Sequence, residues 1–393
     1  RRTDQNDINL NGSVKWQAKD WVTLTGGLNW RWNKTEYYKI ADDLLGGDYY
    51  INIDQFAERD FASDPAMIQN DLDYYLANGS AQRLFAGDKY GYDYFANVRD
   101  AEIWANASFE KGHFRGYAAL QGGYSKFWRD GVYRKGLFAG LDENGNEIKS
   151  PATGKVLTSY DKDGKVITSK GRSDVADFFT YSAKIGAGWF FNGGHRVYAN
   201  AGYFNDAPTF NQSFISPRTR NTLVPNLTTT KTVSADINYT YSNNGYDLRL
   251  TGFWTKIMDQ TDMMSFYDDS QNSFTNFAMT GIDQRHMGIE LGFEIPLYLQ
   301  NVFLQGVLSW GEYIYTSTPY MTQTIDNSAE VIIDNQPVTY WKSHPIYRKT
   351  TLDGIVTYDK DANGNYIVDK DRKHYVPSTP QLAASLGLNY ASS

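Results

Sequence analysis

The sequence predicts an all-β fold: the antiparallel wall of a transmembrane β-barrel, with about eleven strands. Three observations predict it. Apolar and polar residues alternate with period two over stretches of about 10 to 14 residues, and a tilted strand needs roughly 9–11 to cross a bilayer. The connections between these stretches alternate strictly, short then long. Aromatic residues gather toward the strand ends. An outward apolar band with aromatic girdles, a polar interior, tight turns on one side and large loops on the other are what such a barrel requires.

The clearest stretch runs from Phe179 to Tyr203. Phe179, Tyr181, Ala183, Ile185, Ala187 and Trp189 fall on one face, and Thr180, Ser182, Lys184, Gly186 and Gly188 on the other. Asn192-Gly193-Gly194 supplies a tight turn, because Asn and Gly tolerate positive φ. The chain returns with Val197, Ala199, Ala201 and Tyr203 on the apolar face. The rest of the sequence repeats this hairpin.

In order, strand one carries Ile8, Leu10, Gly12, Val14 and Trp16 against Asn9, Asn11, Ser13 and Lys15. Strand two carries Val22, Leu24, Leu28, Trp30 and Trp32 against Thr23, Thr25, Asn29 and Arg31. A long connection, 33–97, is acidic and Tyr-rich, with a short helix expected near Pro65 to Leu76. Strand three carries Ala101, Ile103, Ala105, Ala107 and Phe109. After the turn Glu110–His113, strand four carries Phe114, Ala118, Leu120 and Tyr124. A loop over 129–174 precedes the Phe179–Tyr203 hairpin, and a Pro-containing loop follows it to about Thr228. Strand seven carries Val233, Ala235, Ile237, Tyr239 and Tyr241. Strand eight, after Ser242–Gly245, carries Leu248, Leu250, Gly252 and Trp254. A loop over 259–283 leads to strand nine, with Met287, Ile289, Leu291, Phe293 and Ile295 against Glu290 and Glu294. Pro296 ends it. Strand ten carries Val302, Leu304, Leu308 and Trp310. The last long loop, 316–378, leads to strand eleven, with Leu382, Ala384, Leu386, Leu388 and Tyr390. A soluble sandwich also alternates, but its strands average only about 5–6 residues.

Composition agrees. Of 393 residues, 16% are Phe, Tyr or Trp. Net charge is −7, which argues against a nucleic-acid partner. The absence of cysteine excludes disulfides and thiolate metal sites. Mean hydropathy is −0.55 and no stretch reaches the roughly 18 apolar residues of a membrane helix, yet a barrel wall needs only alternate residues to be apolar. Arg1-Arg2-Thr3-Asp4 is no signal peptide, and strand patterning begins almost at once. Both ends read as cut edges of something longer, so that 1–393 is part of one barrel domain.

The segment Tyr203-Phe204-Asn205-Asp206-Ala207-Pro208-Thr209-Phe210-Asn211, continuing to Asn221-Thr222-Leu223-Val224-Pro225-Asn226-Leu227, resembles the mid-barrel A-P-T-F-N-E … N-P-x-L-x-P-E pattern of TonB-dependent outer-membrane receptors. Asn226 stands where a Glu is usual, and 218–221 departs from the family's spacing. Asp247–Thr255 resembles the family's return strand, Gly288-Ile289-Glu290-Leu291 its G-x-E-L, and Pro377–Gln381 the entry to a late strand. The long loops look most like the Bacteroidetes type. The resemblance implies a barrel of about 22 strands around an N-terminal plug. It implies that plug and flanking strands lie outside this chain, and a location in the bacterial outer membrane. It also implies active uptake of a nutrient driven by the TonB complex acting on the plug. The partners so implied are outer-membrane lipid, an unidentified small-molecule, glycan or peptide ligand, and a lidding surface lipoprotein. A surface binding or adhesion protein, or an outer-membrane enzyme, on a smaller barrel is the alternative.

Nothing in the sequence points to catalysis or to a cofactor: no nucleophile elbow, P-loop or metal-spaced histidine pair occurs among His113, His195, His286, His344 and His374. Glu290 and Glu294 share a strand face about 13 Å apart, too far for a glycosidase pair, and are expected to meet lumenal Lys or Arg, or the plug. Asp359-Lys360-Asp361-Ala362-Asn363-Gly364 matches the opening of a calcium loop, with Asp359, Asp361 and Asn363 as candidate ligands, but its twelfth position is Lys370. Asp142–Gly145 and Asp161–Gly164 have the same composition, so protruding hairpin turns are the preferred reading of all three. Asn211, Arg218, Arg220 and Asn221 are the candidate ligand-binding residues, since loops carry function and Arg binds anions.

Overall fold

The structure, a computed structural model, describes residues 1–269, 272–297, 301–328, 331–338, 349–352, 355–367 and 374–390. The wall strands lie side by side in chain order: β1 (Arg2–Lys19), β2 (Val22–Ile40), β3 (Lys89–Lys111), β4 (Phe114–Gly131), β5 (Ala176–Phe190), β6 (His195–Asp206), β7 (Thr230–Asn243), β8 (Tyr246–Asp268), β9 (Ser273–Pro296), β10 (Val302–Tyr315) and β11 (Leu382–Tyr390). Every neighbouring pair is antiparallel. Among the described residues β1 pairs only with β2 and β11 only with β10, so these strands form an open sheet and not a closed small barrel.

The register joins the two faces row by row. Leu28 lies opposite Ile103, Ile185 opposite Ala201, Tyr239 opposite Leu250, and Leu250 opposite Leu291. On the other face Asn238 meets Thr251 and Thr251 meets Glu290. Burial is inverted relative to a soluble protein: Leu28 is 57% exposed and Ile103 69%, while Asn238 is 1% exposed. The polar face bonds to itself, through Arg31 to Asp7 (2.9 Å), Asn200 to Asp236 (2.9 Å) and Thr251 to Asn238 (2.7 Å). Apolar side chains in the open and polar ones in a hydrogen-bonded layer are the arrangement of a wall with lipid outside and a wet lumen inside.

The short turns are tight for local reasons. Asn244 (φ 52) and Gly245 (φ 81) take the paired positive φ of a type I′ hairpin between β7 and β8. Pro296 ends β9, and residues 298–300 of that turn lie outside those described.

The strands are longer than the alternation suggested, and this corrects two loop assignments. β2 and β3 stay paired from Lys34–Asn97 up to Ile40–Lys89, so the connection is 41–88 and not 33–97. β8 and β9 continue across most of 259–283, with bulges near Gln260. On β2 the alternation persists above the membrane but its outward face turns polar: Trp30 and Trp32 are followed on the same face by Lys34 and Glu36. The single helix expected near Pro65 to Leu76 is instead two, α1 (Gln55–Phe61) and α2 (Leu72–Asn78). Asp54 and Asp71 cap them, and Pro65 sits in the turn between.

The apolar core lies at the long-loop end of the sheet, where the upper parts of the strands meet the loops. Tyr94, Ala96, Phe127, Phe210 and Phe214 form one cluster and Ala66, Leu72, Ala139 and Leu157 another. Loops from distant strands meet there. Arg59 Nη1 donates to the Asn272 carbonyl at 2.6 Å, Phe56 packs edge-on to Phe274, and Lys162 pairs with Asp334 at 2.6 Å. These contacts require the sheet to curve, bringing its long-loop edge together over the concave, polar side.

Two outcomes follow from this geometry. Leu250→Arg places a cation on the outward mid-wall and should cost roughly 2–4 kcal/mol, while Arg249→Leu, one residue away on the lumenal face, should cost far less. Heat-modifiable gel mobility of the full-length protein reports both, and equal behaviour would contradict the facing. Protease added to whole cells should cut near Leu45, which is 92% exposed in a long loop. Cleavage beside Asn244 in intact cells would reverse the sidedness.

Candidate functional site

The loop 207–229, which joins β6 to β7, is the keystone of the long-loop side. Thr209 opens α3 (Phe210–Ser213), its backbone N–H donating to Gln212 Oε1 at 3.2 Å. Phe210 and Phe214 then drop into the core beside Phe127. Two buried arginines hold the rest of the loop. Arg129 of β4 donates Nε to the Pro217 carbonyl (2.6 Å), Nη1 to the Ser169 carbonyl (2.7 Å) and also to Asn221 Oδ1. Arg220 donates to the carbonyls of Ile325 (2.9 Å) and Ser328 (3.3 Å) and stacks on Phe138. Burial lowers the Arg220 guanidinium to about 10.

The four residues expected to bind ligand therefore separate. Arg220 is buried and spent on carbonyls. Asn221 bonds Arg129 and the carbonyls of Lys170 and Gly171. Asn211 lies exposed on α3, beside a cavity of about 310 Å³ shared with Arg31, Tyr37 and Phe127. Only Arg218 lines the principal cavity.

That cavity measures about 710 Å³ and lies between the end of β2, the 42–54 segment, α1, the start of β3 and the 207–229 loop. Tyr49, Tyr50, Tyr90 and Tyr92 wall it, with Arg1, Lys39, Lys135 and Arg218 as cations and Phe274 beneath Arg218. The wall is built locally. Asn52 Oδ1 accepts the Gly91 N–H (3.1 Å) and Asn52 Nδ2 donates to Gln82 (2.9 Å), tying the loop to β3. Gly91 takes φ +73, and a Cβ there would meet the Lys39 stem at 3.4 Å. Lys39 Nζ lies 5.3 Å from the Tyr90 ring and 5.4 Å from the Tyr92 ring. Burial, then the nearby Lys135, Arg1 and Arg218, pull its ammonium below a lysine's usual value. Lys135 bonds Asp54 (2.9 Å) and Asn70 (2.6 Å), while Asp54 also caps α1 through Phe56 N–H at 3.2 Å. Burial opposes ionisation of Asp54, but Lys135 and the α1 amides hold its carboxyl below the usual value.

Sequence reasoning missed Lys39, Asp54, Lys135, Tyr90 and Tyr92. A signal existed: Asn33, Thr35, Tyr37 and Lys39 continue the lumenal alternation of β2 past the membrane. In the Asp-rich turns, Asp142, Asp161 and Asp361 each accept two backbone N–H groups from residues two and four ahead. Asp359 accepts Thr350 Oγ1 at 2.7 Å. Among the described residues no three His, Asp or Glu side chains gather as a metal site, and Lys370 and His344 lie outside those residues. Glu294 bonds Gln305 across the wall rather than a Lys or Arg.

No family model matches the chain, and no curated protein does. Among solved structures, the copper transporter OprC superposes with a TM-score of 0.51 at 13% identity, over 82% of this chain and 41% of that one. The fold is that of an outer-membrane β-barrel wall. The FrpB iron transporter from Neisseria meningitidis (F3-3 variant) gives 0.45 at 12% identity over 82% and 40%. The outer membrane transporter YddB from Escherichia coli gives 0.39 at 10% over 98% and 48%. The chain thus spans less than half the length of each.

The Asp54–Lys135 pair supports an expected outcome. Lys135→Met leaves a buried carboxylate unpaired and should cost roughly 3–5 kcal/mol of local stability, read as faster proteolysis of the 41–88 segment. Because the Asp54 pKa is depressed, its contribution is complete above the ordinary carboxylate value of 3.8 and is lost as pH falls through its lower folded value. Wild-type protection should decline in that acid window and not between pH 5 and 8.

Proposed function

We propose that this chain is wall and ligand-reading loops of a TonB-dependent transporter in the bacterial outer membrane, of Bacteroidetes type, taking up a nutrient. The observation that carries the reading is the coupling of an apolar-out, polar-in wall to long loops that pack into a cored assembly with a cavity on the lumenal side. Support comes from the fold likeness to OprC and from the Asn205–Leu227 segment, which here joins β6 to β7 as its counterpart does in that family. The plug, the remaining strands and the TonB-contacting segment come from chain beyond these residues. Outer-membrane lipid faces the apolar band, and a surface lipoprotein lids the loops. The work is transport, not catalysis: side chains in the cavity position a ligand, and energy enters through the TonB complex pulling on the plug.

The test needs no prior ligand. Solutes remaining in spent medium are profiled by mass spectrometry for the parent strain, a strain lacking this gene and a strain lacking TonB. The expected outcome is one solute class whose depletion falls about tenfold or more in both mutants. Depletion that depends on this gene but not on TonB would overturn the energised mechanism.

A further inference from the structure

We propose that the 710 Å³ cavity binds an anionic ligand with a flat face, its charge held between Lys39 and Arg218 and its face laid against the tyrosine wall. This rests on the uptake reading for the ligand's fate, and it names the ligand's class.

The charges around the cavity decide the matter. Each carboxylate lining it already has a hydrogen-bond or ion-pair partner, two of them a cation and two a neutral donor. Asp42 faces Arg2 at 3.7 Å, Asp43 accepts the Leu45 N–H at 2.7 Å, Asp54 holds Lys135, and Asp326 accepts Asn276 Nδ2 at 2.8 Å. Lys135 is likewise neutralised. Arg1, Lys39 and Arg218 are the remainder: among the described residues none of the three forms an ion pair with a carboxylate, and the close neighbours of the two inner ones are rings, Tyr90 and Tyr92 for Lys39 and Phe274 for Arg218. Both are half-buried, and they lie close enough to feel each other's charge. Holding two like charges in a partly dry pocket is unfavourable unless an anion is to enter.

The donor types specify the anion further. Arg218 offers a planar fork suited to two oxygens of a carboxylate, sulfonate or phosphate, and Lys39 offers a point charge to the same group. The tyrosines supply amphipathic surface for a ring or a sugar face. A neutral glycan would satisfy the tyrosines and leave both cations without a counter-charge. A bare metal cation would find no cluster of three carboxylate or imidazole ligands among the described residues here. The volume suits a molecule of drug size, since ligand pockets run about 300–1,000 Å³.

The test compares two probes of one shape, 2-naphthoate and 2-naphthamide, by equilibrium dialysis against the full-length protein in detergent. The expected result is a preference for the anion of about tenfold or more, from one charge-assisted contact pair. Lys39→Gln and Arg218→Gln should each shrink that preference, Lys39→Arg should retain it, and Lys162→Gln, at a remote exposed pair, should leave it unchanged. Retained heat-modifiable mobility shows that each variant is folded. Binding of neither probe, equal binding of both, or a preference untouched in the Lys39→Gln/Arg218→Gln double variant overturns the assignment. The measurement needs no energised membrane, so a failure of the transport reading leaves it standing, and its own failure leaves the TonB result intact.

Discussion

Hydrocarbon offers no hydrogen bonds, and the wall is organised around that fact. Each peptide N–H and C=O inside a bilayer must find its partner in a neighbouring strand, at several kcal/mol for each group left out. The ten antiparallel ladders from β1 to β11 meet that demand for the strands between the two edges. Once the ladders are set, a slip of one residue would turn every side chain to the wrong medium. Register and facing are therefore one decision, and rows such as Tyr239–Leu250–Leu291 and Asn238–Thr251–Glu290 express it together. The lumenal bonds are its second consequence. Polar residues denied lipid settle on one another, as Asn238 does with Thr251.

That single constraint explains why the wall was legible in the sequence. Period-two patterning is local, strong and repeated, so Leu28, Ile185, Ile237 and Leu250 declare their face without tertiary information. The limits of the strands were less legible. Above Trp32 the outward face meets water, apolar residues are no longer required there, and the contrast that marks a strand fades although pairing continues to Ile40. The helices were shifted for a related reason: Asp54 and Asp71 are ordinary acidic residues until the chain places an orphan N–H above them.

The loop site was scarcely legible. Arg218 and Arg220 are two residues apart and chemically alike, yet one lines a cavity and the other is buried against the carbonyls of Ile325 and Ser328. What separates them is the direction each leaves a loop whose path is set by Arg129, far away in β4. Lys135 and Asp54 are 81 residues apart, so their pairing has no sequence signature. Charge in these loops is mostly structural, with buried guanidinium groups tying backbone carbonyls where helices and strands do not.

The continuation of β2 and β3 beyond the aromatic belt has a geometric meaning of its own. Eight residues, Asn33 to Ile40, follow Trp32 in paired form, and at about 3.3 Å per residue and a tilt near 45° they rise roughly 19 Å. β2 and β3 thus rise as a stiff two-stranded ribbon beyond the aromatic belt. Lys39 and the tyrosines sit at its lip. Hydrogen-bonded strand does not sag or sway as a free loop would, so Lys39 and Tyr90 are held apart by a ladder and not by a loop. One flank of the cavity is therefore as rigid as the wall below it, and only the flank built from 42–54 and 207–229 depends on loop packing.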